Sequence, residues 1–379
     1  MPVRVLVVDD AVVFRKGISD ALSGDPEIQV IGTASNGKLA LQKMALNLPD
    51  LVVLDVEMPE LDGIATVTEI RKLWPRLPVI MCSAHTTDGA RVTLQALERG
   101  ANDFVTKPVT SSVAESLAHF RHELIPRIKG NCRHLLGHAD SGVRPAVVIP
   151  AINQAGHIAA IAPAPPKPAL ARPLSDHRID LIVIGVSTGG PNALAEVIPG
   201  LPSDLPVPVL IVQHMPAMFT KMLAERLGNS SAVKVDEAVA GTICKPGQVW
   251  IAPGGFHMTV NKVGAEYHLD LNQHPPENSC RPAADVLFRS VASVNGANTL
   301  AVVLTGMGED GLIGCRLIHQ ACGQVIVQDK ATSVVWGMPG AVAKANLADR
   351  QLPLKEVASE IVTRLKVGRP TYHGVAKKV

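Results

Sequence analysis

Short apolar runs alternate with amphipathic stretches along almost the whole chain. In the first part the apolar runs are VRVLVV (3–8), IQVIGTA (28–34), DLVVLD (50–55), PVIMCS (78–83) and DFVTK (103–107). Between them, FRKGISDAL (14–22), GKLALQKMAL (37–46) and GIATVTEIRKL (63–73) carry apolar residues at helical spacing. Strands alternating with helices predict a parallel sheet covered on both faces. The pattern lapses from about Asn131 to His177, where APAPPKPALARP (162–173) suits neither helix nor ladder and favours an extended polyproline form. It resumes with IDLIVIGV (179–186), PVLIVQ (208–213), QVWIAP (248–253), TLAVVLTG (299–306) and QVIVQ (324–328). HMTVN and YHLDLN interrupt that series and predict an inserted hairpin. The expected fold class is α/β, with two doubly wound parallel-sheet domains. The expected divisions are a first domain at 1–122, a Pro/Ala-rich linker at 123–177, a second domain at 178–368 and a tail at 369–379.

Composition sharpens this picture. Hydrophobic residues make up 47% of the chain and aromatics only 3%, so the apolar content is the Val, Ile, Leu and Ala of buried parallel strands and their covering helices. A formal net charge of +2 gives no reason to expect a nucleic-acid partner. The six cysteines are irregularly spaced without a C-x-x-C pair, which suggests reduced thiols in a cytoplasmic protein. The start is not that of a signal peptide, and no apolar run reaches bilayer length, so membrane insertion is not expected. Cys132, His134 and His138 lack a recognisable ligand geometry, and the histidines are expected to be surface groups rather than metal ligands.

In the first domain, chemistry-bearing residues fall at successive strand ends. Asp9 and Asp10 follow the first run and Asp55 closes the third; Ser83 ends the fourth and Lys107, before Pro108, the fifth. In a doubly wound sheet these ends share one edge. Crowded carboxylates there repel one another, and a divalent cation such as Mg²⁺ offsets the repulsion. A metal, an ammonium and a hydroxyl suit a phosphoryl group carried on Asp55. Taken singly, an Asp-Asp pair also serves as a helix cap and Lys-Pro as a turn. The ordered combination resembles a two-component response-regulator receiver domain, through VVDD, LDVEMPELDG (54–63), Ser83 and GANDFVTKP (100–108). The resemblance implies that Asp55 is the phosphoacceptor. It implies Mg²⁺ held by Asp9, Asp10 and Asp55 with the Glu57 backbone carbonyl, and Phe104 coupled to Ser83 and Lys107 in switching. Ala11 stands where many receivers carry a hydroxyl residue.

In the second domain Ser187 lies in GVSTGG (185–190), between an apolar strand and a helix. G-x-S-x-G in that setting is a nucleophile-elbow pattern. By itself the loop fits a nucleotide phosphate equally well. His214 ends the next strand and Asp310 follows another, in TGMGEDG (305–311). Serine needs a base, histidine supplies one, and a carboxylate orients it. The three are expected to converge into a single hydrogen-bonded row. His257 and Asp285 are alternatives that do not clearly end a parallel strand. The order Ser, His, Asp differs from that of ordinary α/β-hydrolases.

Residues 178–368 resemble the catalytic domain of bacterial chemotaxis protein-glutamate methylesterases, through IGVSTGGPNAL (184–194), IVQHMP (211–216), LTGMGEDG (304–311) and VVWGMPGAV (334–342). The resemblance implies Ser187, His214 and Asp310 as catalytic residues and backbone N–H groups near Met307 as oxyanion donors. It implies no cofactor for the esterase, hydrolysis of glutamyl methyl esters on chemoreceptors, and deamidation of receptor glutamines. A sensor histidine kinase would be the phosphodonor, and the unphosphorylated receiver would pack over the cleft. Ala283 and Lys330 depart from residues common in relatives. The rival readings are a DNA-binding output, for which the second half shows no helix-turn-helix, and a nucleotide-binding module, which would not need His214 and Asp310.

Overall fold

A computed structural model describes residues 1–84, 86–110, 112–136, 177–369 and 372. The Pro/Ala-rich stretch 162–173, His138 and most of the tail lie outside them. The first domain runs β1 (Val3–Val8), α1 (Val12–Leu22), β2 (Ile28–Ala34), α2 (Gly37–Leu46), β3 (Leu51–Asp55), α3 (Gly63–Leu73), β4 (Val79–Ser83), α4 (Thr87–Glu98), β5 (Asp103–Thr106) and α5 (Val113–Asn131). Its strands form one parallel sheet in the order β2-β1-β3-β4-β5. β3 and β4 are buried at every position, which is why they appear in the sequence as unbroken apolar runs. Side chains cap the helices where the chain turns from strand to helix: Asn36 accepts from Leu39 N, and Asp62 from Ala65 N. The expected boundary at 122 falls inside α5. Phe120, Leu124, Ile128 and Cys132 recur every fourth residue and join the same buried cluster, so 123–131 continues the first domain rather than the linker.

The second domain runs β6 (Leu181–Val186), α6 (Gly190–Val197), β7 (Val209–Gln213), α7 (Phe219–Ser230), β8 (Lys234–Glu237), β9 (Ile243–Cys244), β10 (Gln248–Ile251), β11 (His257–Val263), β12 (Glu266–Asn272), α8 (Ala284–Asn295), β13 (Thr299–Val303), α9 (Leu312–Gln320), β14 (Gln324–Gln328), α10 (Met338–Lys344), β15 (Arg350–Leu352) and α11 (Leu354–Leu365). Seven strands form a parallel sheet in the order β15-β14-β13-β6-β7-β10-β8. The α/β class with two parallel-sheet domains is therefore borne out. The inserted hairpin is β11–β12, and β9 adds a third antiparallel strand to it. β8, β9 and β15 were not expected; they are short, and β8 and β15 are partly exposed edges with little apolar signal. Strand order reverses direction around β6, and the crevice above that point is where a doubly wound sheet binds its ligand.

The two domains touch through α4 and β5 of the first and α6 and α7 of the second. Phe104 stacks on Phe219 with ring centroids 4.6 Å apart and planes 13° from parallel. Arg226 pairs with Glu98 at 2.8 Å, and Asn192 Nδ2 donates to the Ala101 carbonyl at 2.9 Å. Among the described residues no helix is long and apolar enough to cross a membrane.

Candidate active site

Ser187 follows β6 at the start of a tight turn into α6. The left-handed residue of this turn is Gly189 (φ 75°), not the serine as an elbow would have it. Gly190 is required by close approach, because a Cβ there would lie 1.9 Å from Gln213 Oε1. The serine backbone is pinned on both sides. Its N–H donates to the Thr305 carbonyl at 3.0 Å, and its carbonyl accepts from Gln213 Nε2 at 3.0 Å. Thr305 Oγ1 donates to the Thr188 carbonyl at 2.9 Å. Neither Thr305 nor Gln213 stands out in the sequence, since each is a single polar residue at the end of an apolar strand.

β7 lies beside β6 on one side and β13 on the other, so the loops carrying His214 and Asp310 flank the serine. β13 stops at Val303, and Asp310 comes from the following loop, at the foot of α9, rather than from the strand end itself. His214 Nε2 and Asp310 Oδ2 are 2.7 Å apart. Asp310 also accepts from the backbone N–H groups of Ala284 (2.6 Å), Asp285 (2.9 Å) and Gly311 (3.0 Å), and from Asn278 Nδ2 (2.9 Å). Burial acts to raise the Asp310 pKa, but His214 and these donors outweigh it and hold the carboxyl below its ordinary value. Burial acts to lower the His214 pKa; its hydrogen bond to Asp310 and the negative charge beside it push it up to about 9.

The expected single row is incomplete. Ser187 and His214 line one small cavity with Thr188 and Gln213, yet among the described residues no hydrogen bond joins the serine hydroxyl to the imidazole. The second ring nitrogen, Nδ1, instead faces Cys280 Sγ at 3.5 Å. The opposite wall of the cavity consists of Asp103, Phe104, Val105, Thr106, Glu123 and Arg127 from the first domain. Gly306 passes so close to the serine that a Cβ on it would lie 2.8 Å from Ser187 Cβ, which brings the backbone around Met307 beside the nucleophile candidate.

The two alternatives are accounted for. Asp285 is buried behind Asp310, accepting from Gly314 N at 2.7 Å and Asn278 Nδ2 at 3.1 Å; burial, with the nearby Asp310 charge, lifts its pKa to about 6. His257 is buried with one nitrogen on the Pro275 carbonyl and the other accepting from Ala283 N. Both roles are structural.

In the first domain Asp9, Asp10 and Asp55 present carboxylate oxygens within 4.8 Å of one another. Lys107 Nζ bridges Asp9 and Asp55 at 2.8 Å to each. Burial, then the Asp9 charge, raises the Asp55 pKa to about 6 against the pull of Lys107. One ammonium thus leaves three hard oxygen ligands under-neutralised at one edge, a donor set that fits a divalent cation. Ser83 is buried, its hydroxyl donating to the Gly89 carbonyl at 3.1 Å. Phe104 lies in the domain interface. Cys132 is buried against the Asp50 carbonyl and His134 is exposed, so the two do not converge.

Comparison with known proteins places these geometries in context. The CheB methylesterase family model matches residues 182–361 and the response regulator receiver domain model matches residues 5–117. A protein-glutamate methylesterase/protein-glutamine glutaminase of Nocardioides sp. is 50% identical over 97% of both chains. One of the same name from Trichodesmium erythraeum is 44% identical over 96% of this chain and 99% of its own. The crystal structure of the Thermotoga maritima CheB methylesterase catalytic domain is 42% identical and covers 48% of this chain and 97% of its own, with a TM-score of 0.48. Identity of this degree, sustained across both domains, means that the chain belongs to the protein-glutamate methylesterase/protein-glutamine glutaminase family.

Proposed function

We propose that the chain hydrolyses glutamyl methyl esters on the cytoplasmic helices of chemoreceptors, and deamidates receptor glutamines, under control of phosphorylation at Asp55. The observation that carries this reading is the His214–Asp310 pair at 2.7 Å, whose imidazole lines the same cavity as Ser187. Ser187 Oγ attacks the ester carbonyl carbon while His214 takes its proton. The tetrahedral oxyanion lies toward the backbone around Met307. Collapse expels methanol, or ammonia from an amide, with His214 returning the proton. Water, deprotonated by the same imidazole, then cleaves the acyl-serine and leaves a glutamate carboxylate. Asp310, held anionic by its donors, fixes the ring and stabilises the imidazolium.

Control follows from the cavity wall. The receiver's Phe104 and Thr106 face Ser187 and His214, so substrate enters only when that contact loosens. A sensor histidine kinase is the phosphodonor. Asp9, Asp10 and Asp55, with the Glu57 carbonyl, would hold Mg²⁺, which neutralises phosphoryl charge when bound. Lys107 would stay on the phosphorylated Asp55 while Ser83 turns toward it, and withdrawal of Ser83 from Gly89 shifts α4 and Phe104, both of which touch the esterase. The protein works in the cytoplasm, where receptor helices and kinase are present.

The test is methanol release from methylated receptor membranes, with and without a small-molecule phosphodonor. Ser187→Ala should abolish release while the protein stays folded, because among the described residues the hydroxyl makes no hydrogen bond to lose. Release at the wild-type rate from that variant would remove the serine from the mechanism.

A further inference from the structure

Both ring nitrogens of His214 are engaged, and neither by the serine. A carboxylate only accepts, so the Nε2 contact with Asp310 uses the ring's N–H. Nδ1 is then the nitrogen left to act as base, and its lone pair accepts from the Cys280 thiol at 3.5 Å.

The loop that delivers Cys280 is tightly held. Glu277 and Cys280 pair across a two-residue turn whose central residues, Asn278 (φ 52°) and Ser279 (φ 61°), are both left-handed. For a non-glycine residue such as Ser279 this conformation is strained, so the surrounding contacts must hold it. Arg289 clamps Glu277 with two contacts of 2.7 and 2.6 Å. Asn278 bonds Asp310 and Asp285 together. The turn therefore sets one side chain on the carboxylate and another on the imidazole.

We propose that Cys280 is a positioning residue for His214: while the receiver covers the cleft, its thiol occupies the nitrogen that must take the Ser187 proton. The resting esterase is thus disarmed at its base as well as shielded from substrate. The proposal rests on the roles assigned to Ser187 and His214 above. Activation exchanges the Nδ1 partner from sulfur to serine oxygen. A thiol suits this task because it is a weak donor that gives up its acceptor readily.

The experiment compares wild type, Cys280→Ala and Cys280→Ser in the full-length unphosphorylated chain, following methanol release across pH. The charged groups around the ring are Asp310 and, behind it, Asp285, Glu277 and Arg289, with Asp103, Glu123 and Arg127 across the cavity; all remain in these variants. A thiol donating to Nδ1 stabilises the neutral ring, so its loss should move the acid limb of the Cys280→Ala profile to higher pH and, with Nδ1 free for Ser187, raise the basal rate on the plateau above that limb. Each unit of displacement gives about a tenfold fall below the limb. Cys280→Ser should return the limb toward wild type, since a hydroxyl can make the same bond. Coincident limbs, or an equal fall at every pH without rescue by serine, would overturn the proposal. A second readout needs no turnover: imidazole ¹⁵N resonances of His214 in a Ser187→Ala background, where Cys280→Ala should shift Nδ1. An unmoved resonance would also overturn it. The two assignments fail separately. Continued release by Ser187→Ala sinks the serine mechanism, whereas a silent Ser187→Ala with an unmoved Cys280→Ala limb sinks only the role of the thiol.

Discussion

Replacing Asp310 with asparagine tests the centre of the site, because its effect on stability must depend on pH in one direction. The His214 pKa is raised from 6.5 to about 9, with Asp310 the main partner that raises it. A raised base contributes stability that is fully present below its unfolded pKa and lost as pH rises through the folded one. At about 1.4 kcal/mol per unit, that contribution is on the order of 3 kcal/mol near pH 6 and fades above about pH 9. The amide has one oxygen where the carboxylate has two, each taking donors. The buried Ala284 N–H that now meets Oδ2 loses its acceptor, at a further cost of about 1–3 kcal/mol that does not depend on pH. Asp310→Asn should therefore be destabilised by about 4–6 kcal/mol near pH 6, with the gap to wild type narrowing to about 1–3 kcal/mol above pH 9. Methanol release should fall by roughly 10⁴, as when a triad carboxylate becomes an amide and the imidazole tautomer reverses. The assay is urea unfolding at a series of pH values, followed by tryptophan fluorescence in a Trp74→Phe background. Trp250 and Trp336, both in the esterase, then report alone. A gap that is the same at pH 6 and pH 9.5 would refute the ion pair as the source of the raised His214.

Three further perturbations probe the receiver, the interface and the turn at the serine. The Asp55 pKa is raised to about 6, so its ionisation opposes folding as pH climbs from 3.8 through that value; Asp55→Asn should stabilise the metal-free receiver near neutrality by on the order of 2–3 kcal/mol, and added Mg²⁺ should raise the denaturation midpoint of wild type more than that of the variant. Phe104→Ala removes one ring of the Phe104–Phe219 stack, worth about 3 kcal/mol in packing at a nearly buried position, and should raise basal methanol release of the unphosphorylated chain at least tenfold; an unchanged ratio of basal to phosphodonor-stimulated rate would contradict the covering role of this contact. Gly190→Ala puts a methyl group 1.9 Å from Gln213 Oε1, forcing that side chain off the Ser187 and His214 carbonyls; thermal denaturation should show a loss of about 1–3 kcal/mol, and kcat should fall more than KM changes.

Much of the fold was legible because burial leaves a local trace. β1, β2 and β14 coincide with the runs seen in the sequence, and so do α2 and α3: β1 and β14 are covered on both faces and so largely apolar, β2 keeps enough Ile, Val and Ala to show at the sheet edge, and an amphipathic helix must repeat at its own period. The misses were elements without that trace. β8 and β15 are short edges with mostly partly exposed residues, and α5 runs past the expected boundary with Pro126 inside it, a residue that reads locally as a helix break. In the candidate site, Ser187, His214 and Asp310 could be singled out because strand ends of a parallel sheet share an edge, and the chain brought the last two into contact across 96 positions.

What the sequence by itself determined, then, is the layered α/β frame, the acidic edge of the first domain and the residue types gathered above β6. The tertiary structure decided how those residues are engaged: that His214 turns one nitrogen to Asp310 and the other to Cys280, that Asn278 ties two carboxylates together, and that Phe104 and Thr106 close the cavity over the serine. The reason is physical. Hydrophobic period and turn chemistry act between neighbours in the chain and are written there. The partner of an imidazole nitrogen depends on which loops meet once two sheets have packed, and nothing in the local pattern around Cys280 or Asn278 records that meeting.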